Sequence, residues 1–213
     1  MGGVLDIELF LASFAVLFVL IDPPGCAPVF ATLTRNTSKA HQRDMALRSV
    51  LVAAGILVGF TFAGEWVFAK LGISLDALRI AGGIMLFIIG LNMVFEKRQE
   101  RREDRAEEAL QEVNDPEDIS VFPMGIPMIA GPGTMASLLI LTSETDTLAG
   151  VGTILAALLA VLFITLLSFL AAPALMRLMG ENFTNVLTRV LGVLLATLAA
   201  QFVLDGLGGA LLG

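Results

Sequence analysis

Most of this chain is written in apolar runs too long for soluble helices, and two of those runs are broken in the middle by residues that cannot continue a helix. The first break is Ile21-Asp22-Pro23-Pro24-Gly25-Cys26-Ala27-Pro28. Each proline removes a backbone donor and collides with the preceding turn. Inside hydrocarbon, a break of this kind persists only where protein buries it or a wet cavity lines it. The second break, Ile129-Ala130-Gly131-Pro132-Gly133-Thr134, lies 108 positions later within another apolar run. Two interrupted spans in corresponding places are the sequence pattern of a transporter site.

The remaining chain supports a membrane setting. Hydrophobic residues make up 56% of the 213, against the 45–50% or so of soluble domains. Spans are expected at about 7–33, 49–71, 75–95, 119–142, 148–176 and 183–212, each near the ~20 residues that cross a bilayer. Gly55 and Gly59 are expected to offer the second span a small-residue face for a neighbouring helix. The first run lacks the Lys or Arg of a signal-peptide n-region, so it is expected to stay as span one. Glu65, beside Trp66 and Lys70, reads as interfacial.

The expected fold is all-α integral membrane, with six transmembrane helices as two inverted three-helix repeats and helices 1 and 4 broken. Residues 1–95 form the first repeat, 96–118 a charged linker and 119–213 the second repeat. Arg79-x-x-Gly82 lies over Arg189-x-x-Gly192 in that alignment. Three spans per half make the second half run upside down. Eleven of the thirteen Lys and Arg fall on one side, in loops one–two, three–four and five–six. The positive-inside rule then places both termini outside and the linker in the cytoplasm, within a plasma or inner membrane.

The breaks define the chemistry. Pro23, Pro24 and Pro28 would release the carbonyls of Val19, Leu20 and Pro24, and Pro127 and Pro132 those of Pro123 and Met128. Such acceptors suit an ammonium group, Na⁺ or water. The half-helices restarting near Gly25 and Gly133 offer N–H groups and a positive dipole end, which suit a carboxylate. Gly25, Gly131 and Gly133 remove bulk where a ligand or backbone must come close. Thr134 and Ser137 add hydroxyls, for a ligand or for bonding within their own helix.

Asp22 is the one carboxylate deep in a span, and its counterpart Ala130 is neutral. An intramembrane acid is a functional candidate. Asp followed by Pro is also a good N-cap and N1 pair, and the two roles are compatible. The candidate site is therefore Leu20, Asp22, Pro23, Gly25, Met128, Gly131, Gly133, Thr134 and Ser137. Cys26, the only cysteine, reads as a small buried residue. Arg79 and Arg189 open spans three and six, where the helix dipole disfavours them; a lipid phosphate, a carboxylate partner or snorkelling would account for them. Nothing resembles a hydrolase triad, a phosphate loop, a metal cluster or a nucleic-acid surface.

The motifs resemble those of the MarC/SnatA family of six-span membrane proteins. Asp22-Pro23-Pro24-Gly25-Cys26-Ala27-Pro28-Val29-Phe30 fits its first motif, with Asp22 where many relatives carry Asn. Phe122-Pro123-Met124-Gly125-Ile126-Pro127 through Thr134 fits the second. Arg79 to Ile84, Leu187 to Gly192 and Gln201-Phe202 match its third and sixth spans. The resemblance implies a non-enzymatic transporter of small neutral amino acids such as glycine and alanine, working as an exporter or exchanger without a cofactor. Proton or Na⁺ coupling and homo-oligomerisation stay open. So do a cation or proton channel using Asp22 and a non-transporting scaffold.

Overall fold

The computed structural model describes residues 6–95, 104, 118–145 and 147–212. The side chains of Glu65, 176–185 and Leu212 lie outside the description, as does the charged linker apart from Asp104 and Asp118. All described secondary structure is helical. Span one is α1 (Ile7–Ile21) followed by α2 (Pro23–Leu33), and α3 (Lys39–Lys70) and α4 (Leu75–Val94) complete the first half. Span four is α5 (Ser120–Ile129) and α6 (Pro132–Ser143), bent by 52° between them. The chain closes with α7 (Leu148–Leu170) and α8 (Ala172–Leu212). Five helices are long and apolar enough to cross a bilayer, or six when the bent pair counts as one.

Polar residues set the helix starts. Asp6, Ser38, Ser74 and Thr147 each accept a backbone N–H in the first turn of α1, α3, α4 and α7, removing donors that hydrocarbon could not satisfy. The turn between α7 and α8 falls at Ala171, ahead of the 177–182 gap expected between spans five and six. α3 likewise begins ten residues before its expected apolar start, because Ser38 caps a polar first turn.

The packing runs in corresponding pairs. α1 and α2 lie against α7 as α5 and α6 lie against α3; α2 meets α8 as α6 meets α4; α4 meets α8, and α3 meets α7. The longest seam is α4 on α8, and glycines make it. A Cβ at Gly83 would come within 2.8 Å of the Ala199 carbonyl, one at Gly90 within 2.8 Å of the Ala196 nitrogen, and one at Gly192 within 2.9 Å of the Gly90 carbonyl. Gly206 sits equally close to the Asp76 carbonyl. Early α4 thus meets late α8, so the pair is antiparallel and touches backbone to backbone. Gly55 and Gly59, expected to serve such a contact, have nothing within 4 Å of a Cβ and are exposed. Apolar exposed side chains on α4 and α8, such as Ile84, Ile88, Val190 and Leu194, mark the lipid-facing surface.

Charges collect at the ends. Arg48 of α3 lies 3.6 Å from Asp118. The Ser120 hydroxyl and backbone N–H donate to Asp118 at 2.5 and 3.0 Å and hold its carboxyl below the ordinary 3.8. At the other end Arg79 pairs with Asp76 at 3.6 Å, so a carboxylate partner rather than snorkelling accounts for it. Gln201 donates to Asp205 at 2.7 Å on its own helix. Glu144, closing α6, is exposed yet partly dehydrated by neighbouring protein. That dehydration raises its carboxyl above 4.5, with Arg79 opposing and Asp205 reinforcing the shift.

Gly90→Leu should lower the melting temperature in detergent by the equivalent of about 1–3 kcal/mol, the usual cost of overpacking, while Gly59→Leu should leave it unchanged. Because the native Glu144 carboxyl binds its proton more tightly than the unfolded one, its contribution is fully present below pH 4.5 and is lost as pH rises through the native value. Glu144→Gln should therefore flatten the fall of melting temperature with rising pH just above 4.5.

Candidate solute-binding site

Asp22 joins the two halves of span one. Its φ of 55° and ψ of 65° are left-handed, the one positive φ outside glycine among the described residues. Asp tolerates that region better than most residues because its short polar side chain bonds locally. Its N–H still bonds the Phe18 carbonyl at 2.8 Å, ending α1. Its carboxylate accepts the Gly25 N–H at 3.2 Å, and its carbonyl accepts the Cys26 N–H at 3.0 Å, starting α2. Pro23 takes the first helical position, where no N–H is needed. One residue therefore serves as C-cap and N-cap, and it is 1% exposed.

Gly25 follows from this arrangement. A Cβ there would overlap the Asp22 carboxyl group. The helix of α1 persists to Ile21, and the Ile21 carbonyl accepts a side-chain hydrogen bond. The donor is the Cys26 thiol at 3.2 Å. Cys26 is buried, as expected, but it is a donor as well as packing.

The second break is built differently. Phe122 and Ile126 are extended, each followed by a cis-proline, Pro123 and Pro127. Met124 and Ala130 donate to carbonyls five residues back, Ile119 and Gly125, at 3.3 and 2.9 Å. Gly131 approaches the Pro127 carbonyl so closely that a Cβ would lie 2.7 Å from it. The Thr134 hydroxyl reaches back across the break to the Ile129 carbonyl at 3.2 Å. No side chain caps α6 at Gly131. That is the main contrast between the breaks: α2 begins on a carboxylate, and α6 begins on backbone alone.

The two breaks meet. A Cβ at Gly133 would stand 3.7 Å from Leu20, at the end of α1, and 2.9 Å from Ile89 of α4. Leu20, Asp22, Pro23, Gly25, Gly133, Thr134 and Ser137 are buried, Met128 is 9% exposed, and Gly131 is half-buried. The space freed by the three glycines is occupied here by protein atoms: Asp22, the Pro127 carbonyl and Ile89. Ser137 is the polar group left over. Its hydroxyl is fully buried and has no hydrogen-bond partner among the described residues. No group of three or more His, Cys, Asp or Glu that could hold a metal occurs among the described residues.

The description of a MarC family integral membrane protein matches residues 7–211, nearly the whole chain. The chain belongs to the MarC family. It is 34% identical to the UPF0056 membrane protein MJ1677 of Methanocaldococcus jannaschii, over 98% of this chain and 100% of that one. It is 32% identical to the UPF0056 membrane protein YvbG of Bacillus subtilis, over 92% of each. It is also 32% identical to the UPF0056 inner membrane protein YhgN of Escherichia coli, over 92% of this chain and 94% of that one. No solved structure matches the chain. This MarC family chain is thus an integral membrane protein whose breaks coincide with the two motifs that suggested the family.

The double cap makes a test of Asp22 itself. Asp22→Asn keeps a residue that accepts left-handed backbone and retains an acceptor, so stability should change by less than about 1 kcal/mol. Asp22→Leu loses the cap and adds left-handed strain, and should cost about 2–4 kcal/mol by those two effects. Melting temperatures of the purified variants in one detergent separate these outcomes.

Proposed function

We propose that the chain is a secondary transporter of small neutral amino acids such as glycine and alanine, exporting or exchanging them by alternating access around the paired breaks. The observation that carries this reading is the meeting of the breaks with unlike polarity. Asp22 brings a fixed carboxylate to one side, and the start of α6 lacks a side-chain cap on the other. An ammonium group suits the first and a carboxylate the second, where backbone N–H groups and the dipole favour negative charge. The adjacent Ser137 hydroxyl can take one further hydrogen bond. The site is lined by Leu20, Pro23, Gly25, Met128, Gly131, Gly133 and Thr134. With this little room, a small side chain is favoured over a bulky one.

Opposite direction of the halves supports alternating access, and the corresponding contacts of α1–α4 and α5–α8 are what exchange of two inverted repeats would produce. The loop charges favour termini outside and residues 96–118 in the cytoplasm. Coupling, where present, is assigned to Asp22, whose charge meets no repeat counterpart at Ala130.

Purified protein in liposomes loaded with alanine should exchange it for labelled alanine or glycine. Gly133→Leu, which drives into Ile89, Leu86 and Leu20, should reduce exchange at least tenfold. Normal exchange by a folded Gly133→Leu variant would remove the site from this position. Current without added amino acid would replace the transporter by a channel. Asp22→Asn tests coupling: loss of a pH or Na⁺ dependence with exchange retained assigns it to this carboxylate.

A further inference from the structure

Among the described residues, buried hydroxyls follow a rule with two exceptions. Thr34, Ser49, Thr61, Thr153 and Thr165 each donate to the carbonyl four residues back in their own helix. Thr134 donates five back, and Ser120 bonds Asp118. Such back-bonding is the ordinary way to hide a hydroxyl in a membrane helix. Ser13 and Ser137 do otherwise: both are 0% exposed, and neither oxygen has a hydrogen-bond partner among the described residues. An unbonded hydroxyl in an apolar interior is costly. Both occur on the two helices that run from the breaks toward one end of the bundle.

Their register places them on a common seam. Leu20 approaches the Gly133 position, and that contact fixes the facing sides of α1 and α6. Ser13 lies seven residues before Leu20, about two turns, and Ser137 four residues after Gly133, about one turn. At these spacings each shares the face of its contact residue. Successive spans alternate in direction, so α1 approaches the break as α6 leaves it. From the Leu20–Gly133 contact, Ser137 is then about 6 Å and Ser13 about 10 Å toward the end where α1 begins, at 1.5 Å per residue.

We propose that Ser137 and Ser13 are successive hydrogen-bonding stations on a polar route along the α1–α6 seam, leading from the paired breaks to the membrane face at which α1 begins. This rests on the transport reading above. The occupant is the ammonium or carboxylate end of a small zwitterion, or water moving with it. A serine hydroxyl suits this task because it donates and accepts, and so serves either end. Leu17, three residues before Leu20 on α1 and so about 4.5 Å from the Leu20–Gly133 contact, is fully buried.

The test uses Ser13→Cys in the otherwise unaltered chain, reconstituted in liposomes, with a membrane-impermeant methanethiosulfonate reagent. Peptide mass spectrometry distinguishes position 13 from Cys26, the native thiol. Thr165→Cys, equally buried but at a back-bonded position, is the comparison. Position 13 is expected to react at least tenfold faster than position 165, from the face that carries the start of α1. Equal rates would overturn the route. Labelling does not depend on which solute is carried. Slow labelling with intact alanine exchange therefore sinks the route alone, and fast labelling without alanine exchange sinks only the choice of solute. Should Ser13→Cys not fold, Ser13→Ala decides: the expected result is a several-fold higher KM for alanine exchange with an unchanged or higher melting temperature. An unchanged KM would overturn the proposal.

Discussion

The structure depends on one residue holding two helix ends at once. Asp22 closes α1 with its N–H and opens α2 with its carboxylate, in a backbone conformation that few residues accept. Without that double cap, span one would expose unsatisfied amides in a region that has no water to satisfy them. The carboxylate is thus held in place by the break that it stabilises. A charge at the centre of a membrane helix costs about 2.5–3.5 kcal/mol on insertion scales; here the Gly25 N–H and the dipole of α2 offset part of that cost. Asn would satisfy the same geometry without the charge, so the fold and the charge at this position are separable.

The second break reaches a similar shape by other means. It uses extended residues before two prolines, hydrogen bonds spanning five residues, and a threonine that reaches back across the gap. The result is a half-helix whose start is open where that of α2 is filled. The two interruptions therefore differ in what caps the helix that follows, a carboxylate for α2 and backbone alone for α6. Sequence symmetry conceals this difference, since Gly25 and Gly133 align while their surroundings do not.

Much of this was legible in the sequence, for physical reasons. Helix-breaking residues within apolar runs have few outcomes in a bilayer, so the breaks and the membrane class could be read directly. Asp22 as a cap followed from Asp before Pro, a local rule. Tertiary packing was not legible. Gly55 and Gly59 have the spacing of a packing motif but face outward, while the close seam uses Gly83, Gly90, Gly192 and Gly206; spacing cannot say which helix face meets protein. Arg79 could not be assigned until Asp76 was seen one turn away. Thr134 and Ser137 looked alike, and only geometry separated the hydroxyl that staples the break from the one left unbonded. Ser13 carried no signal, because a lone serine in an apolar helix is usually back-bonded.

The glycine seam between α4 and α8 has a mechanical consequence. Backbone presses on backbone at Gly83, Gly90, Gly192 and Gly206 along nearly the whole of α4. A slide of an ångström or two would drive carbonyls into neighbouring chain, and the next comparable register lies about 5.4 Å away, a full helical turn. The pair therefore behaves like a keyed shaft, able to tilt as one body but not to shear along its length. The half-helices α1, α2, α5 and α6 carry no such backbone-to-backbone glycine contact with another helix among the described residues.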